Sequence, residues 1–435
     1  MSQDPREIIL KSPMSRFQTL AVAITIGLNA LDGFDVLAIS FASPGIASEW
    51  GIDRAALGIV LSMELIGMAV GSVLLGGLAD KIGRRPTILG CLVLMATGMF
   101  FTTTAQNIAM LSAFRLMTGL GIGGVLASIN AMAAEYSNAK RRDLAVSLMS
   151  IGYPVGAVIG GSIAAVLLRY FDWRAVFMFG GAVSALFIPL VLWRLPESIA
   201  FLCQKRPPNA LNRVNATLAR MGHGPVPALP DAPAGTPRRS IVQIFSPALV
   251  MTTVAITAAY FLHVTTFYFI LKWIPKIVVD MGFTPSSAAS VLVWTNVGGA
   301  TGGTLLGLAA QRFGVKPLTI LVLILSTLMV MIFGRASGDL THLIMICAAA
   351  GFCTNAGIVG LYAIVAKAFP TQVRATGTGF VVGVGRGGSA LAPIIAGFLF
   401  QGGFGLATVA TILGMGSVLA AAILFIWKMP ARSGD

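Results

Sequence analysis

Apolar runs, each long enough to cross a hydrocarbon core of about 30 Å, recur along the whole 435-residue sequence. Twelve spans are predicted, at residues 17–41, 55–79, 86–104, 107–134, 144–168 and 174–194, then 249–279, 285–310, 317–335, 340–366, 374–400 and 403–428. The expected fold is an all-α membrane protein with twelve transmembrane helices in two six-helix, pseudo-symmetric bundles. Composition agrees: 56% of residues are hydrophobic and 11% charged, whereas a soluble domain carries about 25% charged residues.

Charge predicts the orientation. A net charge of +14 would suggest nucleic acid in a soluble protein, but here the basic residues lie mostly in short loops between spans. An even number of spans puts both termini on one side. With that side cytoplasmic, 22 of the 30 Lys and Arg residues fall in inside segments. The outside loops then hold Arg54, Arg169, Arg174, Lys272, Lys276 and Arg335, while Arg115 and Arg386 remain within spans. The bias predicts cytoplasmic termini at 1–16 and 429–435, with the lipid bilayer as partner, no nucleic acid, and a monomer. The first span is too long for a signal-peptide core, so the N-terminus is expected to stay uncleaved. Cys91, Cys203, Cys347 and Cys353 lack metal-ligand spacing, and three of them fall in apolar segments. Neither disulfides nor a metal site is expected. No nucleophile–base pair, metal motif or phosphate loop points to an enzyme.

The only long loop, 196–247, separates spans six and six, leaving bundles at 17–195 and 248–428. It holds Lys205-Arg206-Pro207-Pro208, a predicted surface helix from Asn209 to Met221, and then Pro-rich linker composition from Pro225 to Pro237. The two halves repeat. Gly76-Gly77-Leu78-Ala79-Asp80-Lys81-Ile82-Gly83-Arg84-Arg85-Pro86 follows span two, and Gly307-Leu308-Ala309-Ala310-Gln311-Arg312-Phe313-Gly314-Val315-Lys316-Pro317 follows span eight. Internal duplication of a six-span unit is a transporter signature.

Inside the first span stands Asn29-Ala30-Leu31-Asp32-Gly33-Phe34-Asp35. The two acids are three apart and share one helix face. An ionised Asp near a bilayer centre costs roughly 2.5–3.5 kcal/mol even on the lenient insertion scale. Two on one face imply a wet cavity, a cationic partner or a bound proton, or else a polar packed face.

At Gly-x-x-x-Asp80-Lys81-x-Gly83-Arg84-Arg85 the chain resembles the major facilitator superfamily. Further matches are Arg115-x-x-x-Gly119-x-x-x-Gly123 in span four, Gly152-Tyr153-Pro154-Val155-Gly156 in span five, and Pro196-Glu197-Ser198 closing span six. Within the superfamily, Asp32-Gly33-Phe34-Asp35, Ala42-Ser43-Pro44-Gly45-Ile46-Ala47 and Trp50-Gly51-Ile52 resemble the aromatic acid:proton symporters. The resemblance implies a bacterial inner-membrane importer of hydroxybenzoate, benzoate, gentisate and related carboxylates. Protons would be the coupling ion, with no other cofactor. A symporter of a dicarboxylate such as muconate, or a carboxylate sensor that does not transport, is the alternative.

In such an architecture, spans one and eleven would face one cavity. Arg386 in span eleven lies about 12 residues, or about 18 Å, from the end of its span. It is expected to grip a carboxylate bidentately, or else to pair with the acids. Asp32 and Asp35 are the expected proton carriers. Arg115 and Glu64 are expected to tune proton release, with Arg115 reaching Asp35 or Glu64, or to serve as static ion pairs. Phe34, Tyr153, Tyr260, Phe267 and Trp294 are candidates to sandwich the ring, or are packing residues. Asn29 and Asn296 would sit beside the ring, Asn29 to bond its hydroxyl. Asp80, Lys81, Gly83, Arg84 and Arg85, with Glu135, Arg142 and Arg374, are expected to form a cytoplasmic gate in which Asp80 caps the start of span eleven.

Overall fold

Every predicted span is a helix in the computed structural model, which describes residues 4–230, 241–370 and 373–427. Residues 231–240 of the expected linker 196–247, residues 1–3 and the expected tail 429–435 lie outside the described residues. A short helix α1 (Pro5–Lys11) precedes six long ones: α2 (Arg16–Trp50), α3 (Arg54–Ile82), α4 (Arg84–Thr103), α5 (Ile108–Glu135), α6 (Arg142–Tyr170) and α7 (Arg174–Arg194). The loop region holds α8 (Ile199–Lys205) and α9 (Ala210–Arg220). Six more long helices follow: α10 (Val250–Asp280), α11 (Pro285–Phe313), α12 (Val315–Phe333), α13 (Leu340–Ala368), α14 (Arg374–Gln401) and α15 (Leu406–Ile426). Among the described residues, eleven of the long helices are apolar enough to cross a membrane. The other, α11, has the length but carries Ser286, Ser287, Ser290, Thr295, Asn296, Thr301 and Thr304.

The first helix is longer than the 17–41 expected, because it runs through Pro44. Proline has no N–H and leaves the carbonyl four residues earlier without its helical donor. That carbonyl belongs to Ser40, and the Ser43 hydroxyl donates to it at 2.9 Å. A Ser beside the proline thus repairs the ladder, as lipid demands. The predicted surface helix is present as α9, with Val214 and Leu218 on its buried side.

The repeated loop motifs have a common backbone cause. Gly83, between α3 and α4, has φ 113°, and Gly314, between α11 and α12, has φ 82°. Both turns need a residue that enters the left-handed region without a Cβ penalty.

The chain packs as two compact units. One gathers the residues up to Val36, then Gly67–Ile159, and the chain from Phe177 into the long loop. The other gathers Leu37–Ile66, Gly160–Val176 and the rest. Polarity runs inside out. Asp32, Asp35, Glu64, Arg115, His263 and Lys272 are buried, whereas Leu186, Trp193, Met251, Phe425 and Ile426 are exposed. Such an arrangement suits a protein whose solvent is hydrocarbon.

Candidate functional site

In the first unit, Asp32 and Asp35 are buried on α2. The helix behind them is α6, and it comes close because α2 and α6 meet through glycines. A Cβ on Gly33 would strike the Tyr153 carbonyl, and one on Gly156 would strike the Ala30 carbonyl. Tyr153 therefore meets the acid-bearing helix through its backbone. Phe34 packs edge-on against Phe179, with ring centroids 5.3 Å apart. Arg115 of α5 is fully buried. Its Nη2 donates to the Asp35 carbonyl at 3.4 Å, its Nη1 approaches the Met99 sulfur at 3.1 Å, and its guanidinium lies 5.0 Å from the Phe177 ring centre. Asp35, one of the two partners expected for Arg115, meets it through the main-chain carbonyl.

Asn29 has a structural job that the sequence reading did not assign. Its Nδ2 donates to the Met149 carbonyl at 2.6 Å and approaches the Ser150 carbonyl at 3.5 Å. Ser150 stands four residues before Pro154, so its carbonyl is the one the proline leaves without a helical donor. The Asn29 side-chain oxygen is buried, and among the described residues it has no hydrogen-bond partner.

In the second unit, Arg386 lies mid-way along α14 within a tyrosine cluster. The Tyr260 ring packs onto the backbone at Gly385, where a Cβ would collide with it. Tyr260 donates to the Tyr362 hydroxyl at 3.0 Å. Arg386 interacts electrostatically with Tyr260 and Tyr268, and Tyr268 also with Tyr362 and Glu64. Phe267 stands edge-on to Tyr268 at 5.3 Å. Trp294 is half exposed, and Asn296 donates to Leu292 of its own helix at 2.8 Å.

Two sequence expectations need correcting here. Lys272 and Lys276, counted as outside-loop residues, lie inside α10. Lys272 is fully buried, with its Nζ 3.7 Å from Glu64 Oε2. A lysine can be that deep only with a carboxylate beside it. Glu64 thus has Lys272 as one ion-pair partner.

The loop after α3 carries the third cluster. Arg84 pairs with Asp80 at 3.3 Å and Glu135 at 3.7 Å, and stacks over Phe201. Asp80, the expected cap of α14, makes an ion pair with Arg84, and its side chain is largely exposed. Lys81 is exposed at the end of α3. Arg142 at the start of α6 acts electrostatically on Glu135, and Ser198 donates to Glu135. Arg374 approaches the Phe369 carbonyl at 3.4 Å. The residue that organises the loop is Glu197. Its Oε1 accepts from the backbone N–H of Arg84 at 3.0 Å and of Ser198 at 2.8 Å. A carboxylate at the first turn of α4 meets orphan donors and the positive end of the helix. Gly83 is required twice over, since its Cβ would also strike Glu197.

The family model described as Major Facilitator Superfamily matches residues 25–295 and 256–435. The chain belongs to the Major Facilitator Superfamily. Its fold agrees: the inward-open xylose transporter XylE from E. coli superposes with a TM-score of 0.74 at 17% identity, over 96% of this chain and 98% of that one. Its relatives within the superfamily include aromatic-acid transporters. A gallate transporter of Pseudomonas putida is 29% identical, covering 96% of this chain and 93% of the relative. A 4-hydroxybenzoate transporter, PcaK of Pseudomonas aeruginosa, is 29% identical, covering 97% and 95%.

Proposed function

We propose that this superfamily member is a symporter that imports small aromatic carboxylates, of the hydroxybenzoate, benzoate and gentisate class, together with protons by alternating access. It works as a monomer in a bacterial inner membrane with both termini cytoplasmic. The observation that carries the reading is Arg386 among Tyr260, Tyr268 and Tyr362 on membrane-spanning helices. A guanidinium offers a carboxylate two parallel donors and stays charged at any working pH. Tyrosine rings give an aromatic body something to stack on, and their hydroxyls can bond ring substituents. The gallate and 4-hydroxybenzoate relatives supply the substrate class.

Asp32 and Asp35 supply the coupling. A carboxylate substrate brings one negative charge into a low-dielectric path, and a proton taken up by the acid pair compensates it. The two acids stand three residues apart on one face of α2, so both carboxylates serve that proton. The Arg84, Glu135 and Glu197 cluster then serves as the cytoplasmic gate, opening as the substrate is released.

The test is uptake of labelled 4-hydroxybenzoate into proteoliposomes with and without an inward proton gradient. Benzoate, gentisate and muconate serve as competitors. Gradient-driven uptake should fall to background in Asp32→Asn, Asp35→Asn and Arg386→Ala. Muconate outcompeting every ring acid would move the substrate to dicarboxylates. Binding without accumulation would make the protein a carboxylate sensor.

A further inference from the structure

Helix α10 carries a polar line down one face: Tyr268, Lys272, Lys276 and Asp280 follow one another at four-residue spacing. Each is engaged. Tyr268 interacts with Arg386 and Glu64, Lys272 pairs with Glu64, and Asp280 takes both Lys276 and Arg54. Arg54 opens α3, and its Nη2 lies 3.2 Å from Asp280. Glu64 is ten residues further along α3, about 15 Å. Lys272 is eight residues back along α10, about 12 Å. The two helices run antiparallel and are tied at two levels.

The levels differ in their access to water. The Arg54–Asp280 pair borders a cavity of about 550 Å³ that also touches Leu57, Lys276 and Phe400. Glu64 and Lys272 have no exposure at all. At 3.7 Å their separation exceeds a hydrogen bond. A buried ion pair is weak evidence for stability, because desolvating both charges offsets much of their attraction. The same end of α3 also lies close to α14: a Cβ on Gly58 would strike the Pro393 carbonyl, and one on Gly397 the Arg54 carbonyl. Small residues let helices approach this closely.

We infer that Glu64 and Lys272 are a positioning pair for transport, a dry bolt that holds the Arg54 end of α3 on α10. The pair separates when that end of the transport path opens and re-forms when it closes. Tyr268, one turn before Lys272 on α10, interacts electrostatically with both Glu64 and Arg386. The inference rests on the transporter reading for its purpose, though the bolt itself can be observed without any substrate.

The experiment places a cysteine at Leu57, which lines the cavity, in the full chain reconstituted in liposomes. The four native cysteines are buried, so a membrane-impermeant maleimide reports on the new thiol. In Leu57→Cys alone, labelling should be slow. Adding Glu64→Gln with Lys272→Met removes both charges of the pair, and labelling should rise about tenfold, one decade of population shift. The exchanged pair Glu64→Lys with Lys272→Glu should restore slow labelling, and Glu64→Asp should leave it near the parental rate. Parental labelling in the neutral double variant overturns the inference, and so does failure of that variant to fold, which would make the pair merely structural. Substrate uptake by Leu57→Cys is measured in the same vesicles. No uptake with labelling that still answers to the pair sinks the transporter reading alone; uptake without that answer sinks the bolt alone.

Discussion

Arg115 fastens α5 to the main chain of the acid-bearing helix: its Nη2 reaches the Asp35 carbonyl at 3.4 Å while its guanidinium faces the Phe177 ring. A lysine keeps the charge and loses the planar fork that makes these contacts together. Arg115→Lys should therefore fold but lower gradient-driven uptake by about tenfold, the equivalent of about 1.4 kcal/mol. Parental uptake in that variant, measured at equal protein, would remove Arg115 from the transport machinery.

Glu197 holds the first turn of α4 through the Arg84 amide. Loss of a helix N-cap costs roughly 0.5–2 kcal/mol. Glu197→Ala should lower the thermal midpoint in detergent. Gly83→Ala should do the same, since its positive φ and its closeness to Glu197 both forbid a Cβ. The double variant should cost less than the sum, because the two residues share one contact. Strict additivity would separate them.

Tyr260 and Tyr362 share a hydroxyl–hydroxyl bond of 3.0 Å beside Arg386. Removing one hydroxyl forfeits about 1 kcal/mol, or roughly fivefold in affinity. Tyr260→Phe should raise the KM for 4-hydroxybenzoate more than for benzoate, because the ring hydroxyl has lost a neighbour. Equal shifts for the two substrates would place the pair away from the substituent.

Much of this was legible in the sequence. The twelve helices followed from length and apolarity, and the loop glycines from the repeated motif. What was hidden depended on distance along the chain. Lys272 lies inside the predicted span 249–279, yet counting basic residues grouped it with the outside charges, since such a count says nothing about what a charge faces. Its neighbours Phe269, Ile270, Leu271, Trp273 and Ile274 were the available signal, since a lysine within such a run is an intramembrane charge. Glu197 was visible as part of a motif, but its role depends on a backbone amide 113 residues away. The hydrogen bond from Asn29 to the Met149 carbonyl was hidden too, because it joins residues 120 apart in the chain.

Cys203 on α8 is buried, and that burial pushes its thiol from the ordinary 9.0 up to about 11. The thiolate is the reactive form. Maleimide labelling of the folded protein should be negligible at pH 8 and climb only as the pH nears 11. The sign for stability follows: the unfolded chain loses this proton first, so the contribution is intact below pH 9 and declines as the pH rises toward 11. Rapid labelling at pH 8 would mean that α8 opens readily.

The glycine seam between α2 and α6 limits how the two acids can move. With Gly33 set against the Tyr153 backbone and Gly152 and Gly156 set against Ile26 and Ala30, the seam has no side-chain cushion to absorb a slide or a twist. Within it, Asp32 and Asp35 do not swing as individual levers. They are cargo on a double-barrelled strut, and whatever turns them toward one side of the membrane or the other must turn α6 with them.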